Sequence, residues 1–366
     1  MGLRSDAKYW VALLRAPGVG PGLARKLLDH FGSAEAIFAG DRQRLQALGC
    51  KGEAVDWLRE PQWALCQPDL DWAEQDGHHF ITCHDLEWPE RLHNVSGAPI
   101  ALYALGDLDL IKLPQLAIVG SRNPTAAGKN AALDFGKHLS QQGIVVTSGM
   151  ALGIDAAAHE GALQGGGLTI AVCGTGLDRV YPKRNHALAK QIAATGLLLS
   201  EFTIGTPVLA HNFPKRNRII SGLSLGTLVV EAAVRSGSLI TARYASEQGR
   251  EVFAMPGSIH NPLARGCHKL IRDGAKLVEN AEHILEELAP HLGDAGRQLA
   301  AQVSVPAEEL VMHDSPLMKH IEYAPVSADY LIEQTGLTAA EVSSMLVMLE
   351  LEGAVIKTAT GEYQRK

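Results

Sequence analysis

Six short apolar runs recur through the middle of the chain: LAIVG (116–120), IVVTSG (144–149), TIAVCG (169–174), LLLSEF (197–202), TLVVEA (227–232) and EVFAMPG (251–257). Within each, apolar and β-branched residues occupy consecutive positions rather than alternate ones. A strand with one wet face alternates, whereas a strand apolar throughout must be covered on both faces, and the helix-like stretches between the runs supply the cover. The reading is an α/β chain built on a Rossmann-like, doubly wound parallel sheet. Two further strand-like stretches, HFITCH (79–84) and IALYALG (100–106), precede it.

The flanks read differently. LLRAPGVGPGLARKLLDHFGSAEAIF near the start gives a helix, a Gly- and Pro-rich turn and a second amphipathic helix, the pattern of a SAM-like or helix-hairpin-helix module. Two uses of that hairpin stay open. Turn amides at Gly18 to Gly22 with Arg25 and Lys26 would touch a phosphate backbone, or the hairpin serves packing and protein contact. After HILEEL the pattern degrades between Pro290 and Pro316 into a linker. The last fifty or so residues give three helices and a terminal hairpin, a winged helix. Its second long helix holds Glu341, Glu350 and Glu352 and no Lys or Arg, which opposes insertion into a DNA groove and favours a protein partner. The expected division is therefore a helical domain over 1–68, an extended Rossmann-like domain over 75–288, a linker over 289–315 and a winged helix over 316–366.

A chain of 366 residues exceeds what one hydrophobic core usually organises, so several domains are expected. No window approaches the ~18 apolar residues of a spanning helix, and no signal-peptide pattern opens the chain, so the expected address is the cytoplasm. Five scattered cysteines without a CxxC pair argue against a disulfide framework and against a zinc site. The net charge of -7 hides an asymmetry. Residues 121–275 carry 16 Lys and Arg against 9 Asp and Glu, while residues 276–366 carry 6 against 15. A polyanionic partner is thereby assigned to the middle.

In a doubly wound sheet the carboxyl ends of the strands feed loops into helix N-termini, where free amides favour anions. Gly120-Ser121-Arg122, the stretch Ser148 to Gly153, Gly174-Thr175-Gly176 leading to Tyr181-Pro182-Lys183-Arg184-Asn185, the segment FPKRNRIISG (213–222) and Arg235-Ser236-Gly237-Ser238 all fall at such places. FPKRNR is read as a cationic loop before a glycine turn at Gly222. Arg122, Lys183, Arg216, Arg218 and Arg235 are expected to converge at one sheet edge with Tyr181 and Phe213 beside them, the ingredients of a single-strand-binding groove. Phe213 either stacks on a base or belongs to the core. GSRNPT has one glycine where the dinucleotide fingerprint needs three, and no Walker loop, metal cluster or Ser-His-Asp arrangement is visible. Asp155 with His159 and Glu231 with Arg235 read as helix-start and surface pairs rather than catalytic ones. No cofactor is expected.

In order along the chain, AIVGSRNPT, VVTSGMALGIDAAAHEGAL, AVCGTGLDRVYPKRN, FPKRNRIISGLS and VVEAAVRSGSLITARYASEQGREVFAMPG resemble the DNA-processing protein A (DprA, or Smf) family over about residues 75 to 288. The resemblance implies a non-enzymatic protein of natural transformation and recombination. Such a protein binds and protects incoming single-stranded DNA, forms a homodimer through its Rossmann-like domain and loads RecA. Ser121, Arg122, Gly149, Gly174, Lys183, Arg184, Phe213, Lys215, Arg216, Arg218 and Arg235 would then form the DNA site. Two rivals stand beside it. One is a nucleotide-hydrolysing Rossmann protein similar to the LOG phosphoribohydrolases, for which SGLSLGTLVVE offers the GT and a displaced glutamate. The other is a duplex-DNA regulator acting through the winged helix.

Overall fold

The computed structural model describes residues 4–292, 315–321, 325–358 and 361–365, and the chain divides into two compact units, residues 1–303 and 304–366. Most of the expected linker lies outside the described residues.

The first unit begins with six helices: α1 (Ala7–Arg15), α2 (Pro21–Phe31), α3 (Ala34–Phe38), α4 (Arg42–Ala47), α5 (Gly52–Arg59) and α6 (Trp63–Ala73). Pro21 opens α2, where its missing N–H would be unpaired anyway. Gly18 takes φ 73° in the preceding turn, a conformation an L side chain resists. Trp10, Leu13, Leu27, Ile37, Leu45 and Leu58 are fully buried in a core that continues into the sheet through Tyr103 and Leu198. One buried carboxylate fixes the junction. Asp69 accepts from Arg15 Nε (2.7 Å), Tyr103 Oη (2.7 Å) and the Ile204 amide (2.8 Å), so its desolvation is met by three donors from separate elements.

A nine-stranded sheet follows. Its strands are β1 (His78–Thr82), β2 (Ala101–Gly106), β3 (Gln115–Val119), β4 (Val145–Gly149), β5 (Thr169–Val172), β6 (Leu197–Ser200), β7 (Gly226–Val229), β8 (Glu251–Ala254) and β9 (Lys276–Leu277), in the order 1-2-6-5-4-3-7-8-9. From β6 to β9 every pairing is parallel, and β1 and β2 extend one edge antiparallel. The helices α7 (Ala126–Gln141), α8 (Ile154–Gly165), α9 (His186–Thr195), α10 (Asn212–Leu223), α11 (Ser238–Glu247), α12 (Arg265–Arg272) and α13 (Ala281–Leu288) complete the unit. The strand residues divide by parity. Leu116 and Ile118 of β3 pack with α7, α8 and α13, while Ala117 and Val119 face the core of α10 and α11, which is why the run is apolar at every position. α7 and α8 meet backbone to backbone, since a Cβ on Gly161 would stand 2.0 Å from Leu133 O.

In the second unit, the helices Ala328–Thr335 and Ala339–Leu351 pack over a hairpin of β10 (Val355–Lys357) and β11 (Tyr363–Arg365), closed by Val326 bridging Tyr363. Leu317, Leu331, Val342, Leu346 and Val355 form its core. This is a winged-helix arrangement. The first of the three expected helices is a short 3-10 turn, Pro316–Lys319. No described helix is long and apolar enough to cross a membrane.

Candidate nucleic-acid interface

The order in which successive strands are laid down reverses at the centre of the sheet. From β3 the chain crosses to β4 on one side, while β7 lies on the other, so the loops after β3 and β7 part and leave a crevice at their carboxyl ends. A groove of about 680 Å³ occupies that crevice, lined by Gly120, Arg122, Asp155, Tyr181, Phe213, Arg216, Asn217 and Ser236 to Ser238 among others. A smaller recess of about 90 Å³ adjoins it under Arg122, Tyr181, Phe213 and Gly174. The Arg122 guanidinium lies 5.7 Å from the Phe213 ring centre, and the Tyr181 and Phe213 rings are 5.7 Å apart. Arg122 and Tyr181 are exposed and Phe213 is half-buried. An exposed cation over one aromatic ring with a second ring beside it is an arrangement able to meet a phosphate and to stack on bases.

FPKRNR is not a loop. It forms the first turns of α10, with Pro214 in the opening turn, where a helix tolerates it. Arg216 is 4% exposed and donates through Nη1 to the Val172 carbonyl at the end of β5. It forms the groove floor beside Asp155, whose carboxyl burial holds above its usual range while Arg216 draws it back down. Gly149 must be bare to admit them, because a Cβ there would stand 2.3 Å from Arg216 Nη1 and 2.5 Å from Asp155 Oδ2. Gly174 is bare for a parallel reason, with the Phe213 ring 2.9 Å from where its Cβ would be. Gly222 makes no turn. It sits inside α10, where its missing Cβ leaves room for Val95 and Leu92.

The other expected contacts scatter more widely. Ser121 accepts from the Asn123 amide and shapes the turn that presents Arg122. Lys183 and Arg184 are exposed on a short 3-10 turn beyond Tyr181, outside the groove lining, and the neighbouring Asn185 anchors that turn to the carbonyls of Met150 and Ala151. Arg235 is exposed over a separate hollow, although Ser236 and Ser238 beside it line the groove. Lys215 and Arg218 face away from the groove. Arg218 pairs with Glu201, both side chains about nine-tenths buried. In the hairpin, Lys26 is spent on the Leu48 carbonyl.

The two suspected pairs separate. His159 contacts Gly149 O and Thr169 Oγ1, and burial lowers its pKa to about 4, so it is a neutral brace for β4. Both carboxylate oxygens of Glu231 accept from Thr125, one from the amide at 2.9 Å and one from the hydroxyl at 2.6 Å. Glu231 thus anchors the start of α7 rather than meeting Arg235. Sequence reasoning placed the Ser236–Ser238 loop at this sheet edge without naming its serines as contacts, left Asn217 unnamed, and took Asp155 for a helix-start residue. The signal for the serines lay in their position after β7, the partner of β3.

The family model for DNA recombination-mediator protein A matches residues 79–289 of this framework. The chain belongs to the DprA family. Models of the DprA winged helix domain and of a SAM-like helix-hairpin-helix tandem match residues 305–359 and 11–52. Protein Smf of Escherichia coli K12 is 42% identical over 317 residues, covering 86% of this chain and 84% of that protein. DNA processing protein DprA of Streptococcus pneumoniae R6 is 50% identical over 239 residues, 65% and 83% of the two chains. The solved structure of DprA from Streptococcus pneumoniae aligns with a TM-score of 0.70 at 38% identity, over 78% of this chain and 99% of that one. DNA processing protein A from Helicobacter pylori, whose structure is described for its single-stranded DNA binding mode, aligns with a TM-score of 0.53 at 30% identity, over 58% and 96%. A DprA-family chain with a groove at the switch point is a DNA-processing protein, and the chemistry of that groove narrows the substrate further.

Proposed function

We propose that this protein binds single-stranded DNA in the groove between β3 and β7, protecting incoming strands and loading RecA onto them in natural transformation and recombination. The observation that carries the reading is the exposed Arg122 over the Phe213 ring, with the Tyr181 ring beside Phe213 and the buried Arg216 lining the same groove. Stacking surfaces demand unpaired bases, which a duplex does not offer, and a cation on the rim tracks a backbone. The Helicobacter pylori relative, described for its single-strand binding, supports it. Lys183 and Arg184 extend the cationic rim beyond Tyr181. The reading keeps the domain division given above, with the Rossmann-like region as the DNA-binding and homodimerising part and the acidic C-terminal unit as a protein-contact module.

Anisotropy titrations with an oligothymidine strand and a duplex of equal length, each at two salt concentrations, test it. The strand should bind more tightly than the duplex at both. Equal affinity for the two, or no binding of the strand, overturns the reading.

A further inference from the structure

The far side of α10 bounds a second cleft of about 600 Å³, walled by the helix-hairpin-helix turn at Val19 to Pro21 and by Glu201, Lys215, Arg218 and Gln248. Its volume lies in the range of small-molecule sites. Two buried side chains in its wall leave polar atoms unpaired. Arg218 Nη2 holds Glu201 Oε2, while Arg218 Nη1 and Glu201 Oε1 have no hydrogen-bond partner among the described residues. A buried donor and a buried acceptor on adjoining groups are costly unless a ligand or solvent meets them.

Resting on the single-strand reading above, we propose that this cleft seats one unpaired base of the same strand by its Watson–Crick edge. Every nucleobase carries a donor beside an acceptor on that edge, and single-strand readers use it for hydrogen bonding. The donor serves Glu201 Oε1 and the acceptor receives from Arg218 Nη1, with either orientation of base available. The exposed Lys215 at the mouth meets the flanking phosphate. Groove and cleft are separated by the width of one helix, roughly 10 Å, so one strand reaches both. Both unpaired atoms are closed off from solvent, so the exposed turn at Gly97, where a Cβ would stand 3.9 Å from Arg218 Nε, is required to shift and admit the base. The consequence is a check on pairing rather than on identity. A base in a duplex has that edge occupied, whereas any unpaired base fits, so the cleft distinguishes single from double strand without reading sequence.

The test compares oligothymidine with an equal-length strand of N3-methylthymidine, whose donor is replaced by a methyl group. Full-length wild type, Ser96→Trp and Arg122→Ala are titrated with both. Ser96 is exposed on the cleft wall, so a tryptophan there fills the cleft without entering the core. Wild type should bind the methylated strand about tenfold more weakly, the size of one lost hydrogen bond to a charged group. Ser96→Trp should bind both strands alike, and Arg122→Ala should weaken both while keeping the ratio. Equal affinities in wild type, or an unchanged ratio in Ser96→Trp, overturn the inference while leaving the groove intact. If wild type fails to bind oligothymidine, the single-strand reading falls and this inference with it.

Discussion

Charge is handled in opposite ways at the carboxyl edge of the sheet and on the helix Ala339–Leu351. At the sheet edge Asp155, Arg216, Arg218 and Glu231 are each less than a tenth exposed. On the helix Glu341 and Glu350, and at its C-cap Glu352, are all exposed. A buried charge must be met by specific partners, which makes its surroundings stiff and its removal costly. An exposed one needs no more than water and near neighbours in sequence. Glu341 shows the difference, since its carboxylate closes a capping box on the Thr338 amide at 2.8 Å and hydroxyl at 2.7 Å, a local duty at the helix start. A helix whose charged groups are all carboxylates repels phosphate, whereas the buried Arg216 at the sheet edge holds a groove in shape.

The sharpest way to break this contrast is to remove one partner from each region. Glu201→Ala leaves Arg218 buried and unpaired and should cost about 3–5 kcal/mol in urea unfolding. Glu350→Ala should stay within about 0.5 kcal/mol. Similar losses in the two variants would show that burial does not separate the regions.

Acid should find the same boundary. His159 is neutral in the fold with a pKa of about 4, against about 6.5 when unfolded, so the unfolded chain binds the extra proton first. Its contribution is present above about pH 6.5 and is lost as pH falls towards 4, amounting to about 3 kcal/mol. Unfolding measured between those values should show this slope, and His159→Asn should flatten it. A slope that persists in the variant assigns it to other groups.

Function sharpens the contrast further. Phe213→Ala should weaken every single strand alike by about 1–3 kcal/mol if the ring stacks on a base. A loss confined to one base would contradict that, and a loss of folding would make the ring a core residue. Arg122→Ala should flatten the plot of log affinity against log salt by about 0.7. The smallest effect belongs to the acidic unit, because deletion of residues 304–366 should leave single-strand affinity unchanged or slightly raised at low salt. A folded truncation that loses binding would return the winged helix to the DNA site.

Legibility followed the range of the interactions involved. The consecutive apolar runs of β3 to β8 announced a sheet covered on both faces, because that pattern is a local response to burial on two sides. The family motifs and the flanking modules were visible on the same terms. FPKRNR misled because a proline and three cations look like a solvated loop, while a helix accepts proline in its first turn and arginine stems pack in apolar surroundings.

What the sequence determined by itself was the run of sheet strands, the basic middle and a list of candidate residues for a polyanion. Which of those residues meet was decided by the tertiary structure. Arg216 and Arg218 are two positions apart, about 200° around a helix, so once α10 forms they must serve opposite sides, one the groove and one the cleft with Glu201. Gly149 and Gly174 became close-packing positions only because Arg216, Asp155 and Phe213 arrive there from distant segments. Spacing along a chain fixes direction only after the element is known, and strand order, which placed β3 beside β7 and opened the groove between their loops, is set by burial across the whole sheet.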